Sequence, residues 1–184
     1  SLSFTGDGGR ALLPFLAEYR RLTDAARVQN ERVVQSFIEA LNRQDVDAQY
    51  AHYGPGIQFG DEDRRVAPNK EKERLDREFE KANRARWSYT VLGGGIDSLE
   101  LIVTEDMEFY DLLGVGGRSH RARYQFRDGK IVHGRTWDWT QKGRPYGGAR
   151  DSFASWVGKE RPQAAAAFIQ NGGIAFSART APLM

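Results

Sequence analysis

The chain is 184 residues long, which makes one domain the default and leaves room for a substantial core. Its 27 Lys+Arg against 25 Asp+Glu leave a net charge of +2, which argues against a dedicated nucleic-acid surface, and no apolar run approaches the ~18 residues a membrane span needs. Cysteine is absent, so disulfides, thiolate metal sites and cysteine nucleophiles are excluded, while the compartment, cytoplasmic or exported, stays open. The first residue is Ser1, as a trimmed start or removal of a leader would leave.

Leu12, Leu13, Leu16, Tyr19 and Leu22 fall at helical spacing over residues 10–24. A second helical stretch over 25–43 sets Val33, Val34, Phe37, Ile38 and Leu41 on one stripe, and the two form either one bent helix or two. Asp45 caps a short third helix running to Tyr53, and Gly54-Pro55-Gly56 stops it. Ile57-Gln58-Phe59 reads as a short strand, followed by a charged loop over 61–65. Asn69 caps a helix over 70–83, with Leu75 and Phe79 as its buried i, i+4 pair. That helix is otherwise almost wholly charged, which predicts an outer layer.

The remaining core reads as β structure. Trp87, Tyr89 and Val91 alternate in one strand, and Leu99, Leu101, Val103, Met107 and Phe109 in a long one. His120, Ala122, Tyr124 and Phe126 alternate against Ser119, Arg121, Arg123, Gln125 and Arg127. Asp128-Gly129 signals a hairpin turn, with the return strand over 131–140. Leu92-Gly93-Gly94-Gly95 lacks the Lys-Ser/Thr of a phosphate loop and marks a bend or bulge. Helices first, then a run of antiparallel strands, give an α+β class. Phe153, Trp156 and Val157 predict a helix stopped near Gly158, and 162–170 predicts another ending at Gly172-Gly173.

The stretch from Val33 through Phe37-Ile38-Glu39-Ala40-Leu41-Asn42, Asp45-Val46-Asp47 and Ile57-Gln58-Phe59-Gly60-Asp61 closely resembles the opening of ketosteroid-isomerase-like proteins. That superfamily includes the nuclear-transport-factor-2-like (NTF2-like) and SnoaL-like families. The resemblance is gapless over 33–61 and looser over 28–140. It implies an α+β NTF2-like cone, a curved antiparallel sheet wrapped around the N-terminal helices. Residues 1–27 then form an N-terminal helical arm, 28–140 the core and 141–184 a C-terminal helical extension, all within one domain. Arm and extension are candidates to cover the mouth of the cone or to form a dimer contact. The resemblance also implies a homodimer through the sheet and a small hydrophobic ligand.

By the same resemblance, Asp61 stands where the family carries its catalytic base. A carboxylate at the mouth of an apolar pocket has a raised pKa and can take a proton from carbon or water. The ordinary alternative is a solvated loop acid beside Glu62, Asp63, Arg64 and Arg65. Steroid isomerases stabilise an enolate with a helix tyrosine and a protonated strand acid. Phe37 and Ala122 occupy those two positions here, so steroid isomerisation by that route is not expected. His120 is the best replacement, since it shares a face with Ala122, Tyr124 and Phe126 and can donate to an oxyanion or shuttle a proton. Tyr124, Phe37 and Tyr53 are further candidates to line the cavity.

The last hairpin leaves two registers open. A two-residue turn pairs Tyr124 with His133, Ala122 with Arg135 and His120 with Trp137, placing His133, Arg135 and Trp137 in the cavity as substrate-binding residues. A three-residue turn with a glycine bulge flips the parity, so that Val132, Gly134, Thr136 and Asp138 face inward, with Asp138 beside His120. SnoaL-like cyclases and limonene-epoxide-hydrolase-like proteins carry a functional acid late in this strand, and their sequence resembles Arg135-Thr136-Trp137-Asp138 with the spacing off by one. Glu108 fills the acid position of the epoxide-hydrolase Arg-x-Asp pair, but Asp106 replaces the arginine. The three histidines show no metal spacing.

These observations lead to a SnoaL-like enzyme that needs no metal or organic cofactor. It would act on a small hydrophobic carbonyl, phenolic or epoxide substrate by acid–base chemistry, as a cyclase, isomerase or hydrolase. Asp61 or Asp138 would be the base, and His120 would steady negative charge. The alternative is a non-catalytic ligand-binding or dimerisation module of the same fold. An inward acid within reach of His120 favours the enzyme, and a purely aromatic and aliphatic cavity favours binding.

Overall fold

The computed structural model describes residues 7–61, 64–163, 165, 169–170 and 173–174, with side chains described over 14–60 and 65–163 and at 165. The two N-terminal helical stretches are one helix, α1 (Asp7–Asn42), with Pro14 inside it. Its C-terminal half buries Val34, Phe37, Ile38, Ala40 and Leu41, while Phe15, Leu16, Tyr19 and Leu22 of the N-terminal half are exposed. The same 3.6-residue stripe thus packs on the sheet at one end and runs clear of it at the other.

Helix α2 (Val46–Ala51) starts at Asp45, whose carboxylate accepts the Ala48 N–H at 2.9 Å. Asp45→Ala is expected to cost about 1 kcal/mol of stability, read as a lower midpoint in urea unfolding. Strand β1 (Tyr53–Asp61) follows directly, so the helix ends two residues earlier than its glycine stop suggested and the strand takes up Gly54-Pro55-Gly56. Strand β2 (Arg64–Val66) pairs back on β1, and helix α3 (Lys70–Ala82) is capped by Asn69.

Strands β3 (Arg86–Gly94) and β4 (Ser98–Asp106) form a hairpin with a bulge between Val91 and Gly93. The long strand expected to carry Met107 and Phe109 stops at Asp106. A short helix, α4 (Glu108–Leu112), follows it and buries Phe109 and Tyr110. Strands β5 (Arg118–Arg127) and β6 (Lys130–Gln141) complete a curved, unclosed six-stranded sheet of order β2-β1-β6-β5-β4-β3. The sheet is mixed rather than wholly antiparallel, because β1 runs parallel to β6. The architecture is α+β, and its curved, unclosed sheet with helices packed on it agrees with the cone expected from the sequence.

Helix α5 (Tyr146–Glu160) runs through Gly158 instead of stopping there. The helix expected over 162–170 lies partly outside the described residues, and its end is corrected: β7 (Ile169–Gln170) pairs with β8 (Gly173–Ile174) as a small antiparallel ladder.

Two apolar clusters hold these elements. Val34, Phe37, Ile38 and Leu41 of α1 pack on Leu99, Leu101, Val103, Ala122, Tyr124, Phe126 and Ile131 of the sheet. A second cluster joins Phe79 of α3, Phe109, Tyr110 and Leu113 of the α4 region and Ala149 of α5. Leu75, expected as a buried partner of Phe79, is exposed. Helix α3 instead turns Arg77 and Glu80 inward, with side chains only 12% and 7% exposed.

The last hairpin combines the expected two-residue turn with a bulge that lies in the strand and not in the turn. Asp128 and Gly129 both take positive φ (51° and 68°), the two-residue turn that matches strand twist. Arg127 pairs with Lys130 and Phe126 with Ile131, but the next pair is Gln125 with His133, so Val132 is a bulge. Parity therefore flips after a tight turn, and Tyr124 faces Gly134 while Ala122 faces Thr136. Gly134 is required there: a Cβ would come 2.5 Å from the Phe59 ring and 3.2 Å from Tyr124. A second irregularity follows Trp137, which pairs with Arg121, before Thr140 pairs with Ser119. Asp138 sits in it with φ 53°.

Candidate functional site

On the concave face, pairing sets Trp87, Glu105 and Arg118 side by side across β3, β4 and β5. Tyr89, Val103 and His120 form the next row, and Val91, Leu101 and Ala122 the one after. The Val91–Leu101–Ala122 row is apolar, while the end row carries charge and meets side chains from α3, α4 and α5.

Glu80 enters this row from α3. Its carboxylate accepts the Trp87 indole N–H at 3.2 Å and lies 2.6 Å from Arg77 Nη2. Burial raises it to about 7, outweighing the pull of Arg77, and the neighbouring Glu105 adds to the rise. Glu105 is itself 6% exposed and accepts the Tyr110 hydroxyl at 2.7 Å. Burial raises its pKa too, against Tyr110, Arg118 and Arg77.

Arg118 donates from Nη1 to the Tyr110 oxygen at 3.0 Å. Its guanidinium carbon lies 4.2 Å from the Tyr146 ring centre and 4.7 Å from that of Trp139, so aromatic faces hold the cation in place. His120 is 6% exposed, with its ring 4.1 Å from that of Trp139 at 31°. Burial, and then Arg118, lowers its pKa to about 4, so the imidazole is neutral across the physiological range. Arg77 Nε and Nη1, Arg118 Nε and His120 Nδ1 are buried with no hydrogen-bond partner among the described residues.

His120 occupies the inward position that alternation predicted. The acid expected beside it does not: Asp138 is exposed in the second irregularity of β6, and Trp139 lies against His120 instead. His133, Arg135 and Trp137 pair with Gln125, Arg123 and Arg121, so they lie on the face of the sheet opposite His120, Ala122 and Tyr124. Arg135 there lies 5.6 Å from the Trp137 ring centre. Asp61 closes β1 opposite Arg64, and its side chain lies outside the described residues. Glu108 is a surface acid 2.7 Å from Arg84.

Tyr124 and Phe37 are buried in the first cluster, their rings 6.0 Å apart, and burial raises Tyr124 to about 12. Tyr53 packs 5.9 Å from Phe37 and 5.4 Å from Phe59, and its oxygen accepts from Gln49 Nε2 at 2.8 Å. The same Gln49 nitrogen donates to Glu73, whose pKa burial raises. Sequence reasoning missed Glu80, Arg77, Arg118 and Tyr110. The signal for Glu105 is its two-residue spacing from Val103 along β4, which sets both on one face of the sheet.

Among the described residues, no group of three or more His, Asp or Glu is arranged to hold a metal ion, and no helix is long and apolar enough to cross a membrane. No family model matches the sequence, and no curated protein matches it. Solved structures similar to the chain include an NTF2-like protein of unknown function from Cytophaga hutchinsonii, at 17% identity and TM-score 0.43 over 59% of this chain and 88% of that one. A candidate polyketide cyclase from Xanthomonas campestris is 14% identical at TM-score 0.47, over 61% and 92% of the two chains. An LEH-like epoxide hydrolase of M. tuberculosis is 18% identical at TM-score 0.43, over 59% and 81%.

Proposed function

We propose that this chain is an acid–base enzyme for a small, largely apolar substrate, working at the Glu80–Glu105–His120 end of the concave face without a cofactor. The observation that carries the reading is the convergence of two buried carboxyl groups and a buried neutral histidine on one end of the sheet, each side chain at most 7% exposed. A carboxyl poised near neutrality is matched to proton transfer at neutral pH. As carboxylate, Glu80 takes a proton from an activated C–H or O–H of the substrate; as acid, it returns one. His120 Nδ1 stands as the group that steadies the oxygen on which charge develops. The acid of this reading is therefore the buried Glu80 and not the exposed Asp138, while Asp61 remains a second candidate base.

A non-catalytic binding module is the second reading. Its support is the packing of Phe37, Tyr53, Phe59 and Tyr124 against one another in the first cluster, with Phe37 and Ala122 replacing the two oxyanion donors of steroid isomerases. A thermal-shift screen over enolisable ketones, phenols and epoxides, with turnover assayed for each hit, separates the two. Glu80→Gln is expected to bind the hit normally while kcat falls about 100-fold or more, as loss of a general acid–base group requires. Asp61→Asn is run in parallel. Equal turnover in wild type and Glu80→Gln would rule out Glu80 as the proton carrier, and binding without turnover in any variant would favour the module.

A further inference from the structure

Two arginines of the polar row have N–H groups without protein partners. Arg77 uses Nη2 on Glu80 and leaves Nε and Nη1 unpaired; Arg118 uses Nη1 on Tyr110 and leaves Nε unpaired. A buried cationic donor without an acceptor is costly, and side chains are rarely left so unless something else completes them. Surface arginines would be satisfied by bulk water, but Arg77 is 12% exposed and its unpaired nitrogens are buried.

The carboxyls beside the arginines do not cancel them. Burial raises Glu80 to about 7, so near neutrality part of its population is protonated and the row holds surplus positive charge; burial shifts Glu105 in the same direction. The surplus is limited, because two arginines face two carboxyl groups. A monoanion matches that balance, whereas a dianion would meet Glu80 and Glu105 at close range. The surroundings are aromatic, with Trp87 against Arg77 and Trp139 and Tyr146 against Arg118. Planar guanidinium groups between aromatic rings suit a planar oxyanion on an apolar body.

We infer that Arg77 and Arg118 form the carboxylate-recognition end of the site, and that its ligand is a small hydrophobic or aromatic monocarboxylate. This inference rests on the site assigned under the proposed function and adds the substrate class to it. The arginines position the ligand's carboxylate, and its apolar body packs on the Trp87, Trp139 and Tyr146 rings beside them.

The test uses the intact wild-type chain at pH 6, with phenylacetate as the probe and phenylacetamide and inorganic phosphate as controls. Saturable shifts of the Arg118 and Arg77 Nε–H resonances on adding phenylacetate are expected. The neutral amide should bind about tenfold more weakly or worse, as loss of a charge-assisted hydrogen bond requires, and phosphate should bind more weakly than the carboxylate. Arg118→Gln and Arg77→Gln should each weaken phenylacetate about tenfold or more. Arginine resonances that stay fixed, amide binding equal to acid binding, or tighter phosphate binding would each overturn the inference. The wild-type resonances give the answer even where a variant fails to fold. Glu80→Gln separates the two claims. If phenylacetate binding and turnover of a screened substrate both persist in it, the acid–base reading falls and the carboxylate site stands. If turnover is lost in it while wild type never binds phenylacetate, the reverse holds.

Discussion

Glu80→Gln should flatten a fall in stability that the wild-type protein shows between about pH 5 and about pH 8. Unfolded, the carboxyl titrates near its ordinary 4.5; folded, burial moves it to about 7. The folded state holds the proton more tightly. The group therefore favours folding fully below the unfolded value, and its contribution is lost as pH rises through the folded one. At ~1.4 kcal/mol per pKa unit, the wild-type loss from this residue is ~3 kcal/mol. His120 works in the opposite sense. Its pKa falls from 6.5 to about 4, so its contribution is present above 6.5 and lost as pH falls through 4. The two slopes oppose each other below 6.5, and since burial also raises Glu105 and Glu73, the Glu80 part is isolated by the difference between wild type and variant.

Glutamine at position 80 keeps an oxygen for the Trp87 N–H but removes the charge, leaving Arg77 without its counter-ion at every pH. That last cost is a nearly constant offset. The quantity to measure is the change, across pH, in the difference between the two urea-unfolding free energies. A shift of ~3 kcal/mol toward the glutamine variant on going from pH 5 to pH 8 is expected. A difference that stays level would show that Glu80 titrates in its ordinary range.

Phe109→Ala should be the most destabilising single substitution at the covered end of the sheet, at about 3–5 kcal/mol. Phe109 is 1% exposed. Its ring meets Phe79 of α3 and Phe153 of α5 edge-on, each at 5.5 Å, and lies 6.5 Å from Tyr110. Three helices thus share one side chain, so truncation leaves a cavity that no single element can close by moving inward. Tyr110, the neighbour that bonds Glu105 and Arg118, should lose order with it. Denaturant unfolding of Phe109→Ala and Phe109→Leu checks this, with the leucine variant losing clearly less. A loss below about 1 kcal/mol for the alanine variant would mean that α3, α4 and α5 are held by other contacts.

Local signals in the sequence account for much of this fold. The α1 stripe, the Asp45 and Asn69 caps, the alternation of β3 and β5 and the Asp128-Gly129 turn each depend on neighbours within a few residues. His120 was placed correctly for the same reason, since parity along one strand is a local property. The bulge at Val132 left no such mark. Valine is an ordinary strand residue, and the extra position shows only when β6 is laid against β5. Asp138 was hard to place because aspartate tolerates positive φ without signalling it.

The strand extended to Phe109 failed for a related reason. Met107, Phe109 and Leu113 keep apolar spacing through the change from strand to helix at Glu108. Glu80 was the most hidden residue. Its helix carries charges on nearly every turn, and which acid is buried depends on where α3 meets Trp87, a contact between elements and not a pattern within one.

The central claim is that Glu80 is the proton-carrying group of a buried polar site. Carbon-detected NMR titration of the glutamate side chains, with Glu80→Gln to assign the signal, tests it most directly. The account predicts one carboxyl titrating near 7 that disappears in the variant, with the His120 ring staying neutral down to about pH 5. Glu80 titrating near 4.5, with His120 protonating near 6.5, would place both groups in water and contradict the site.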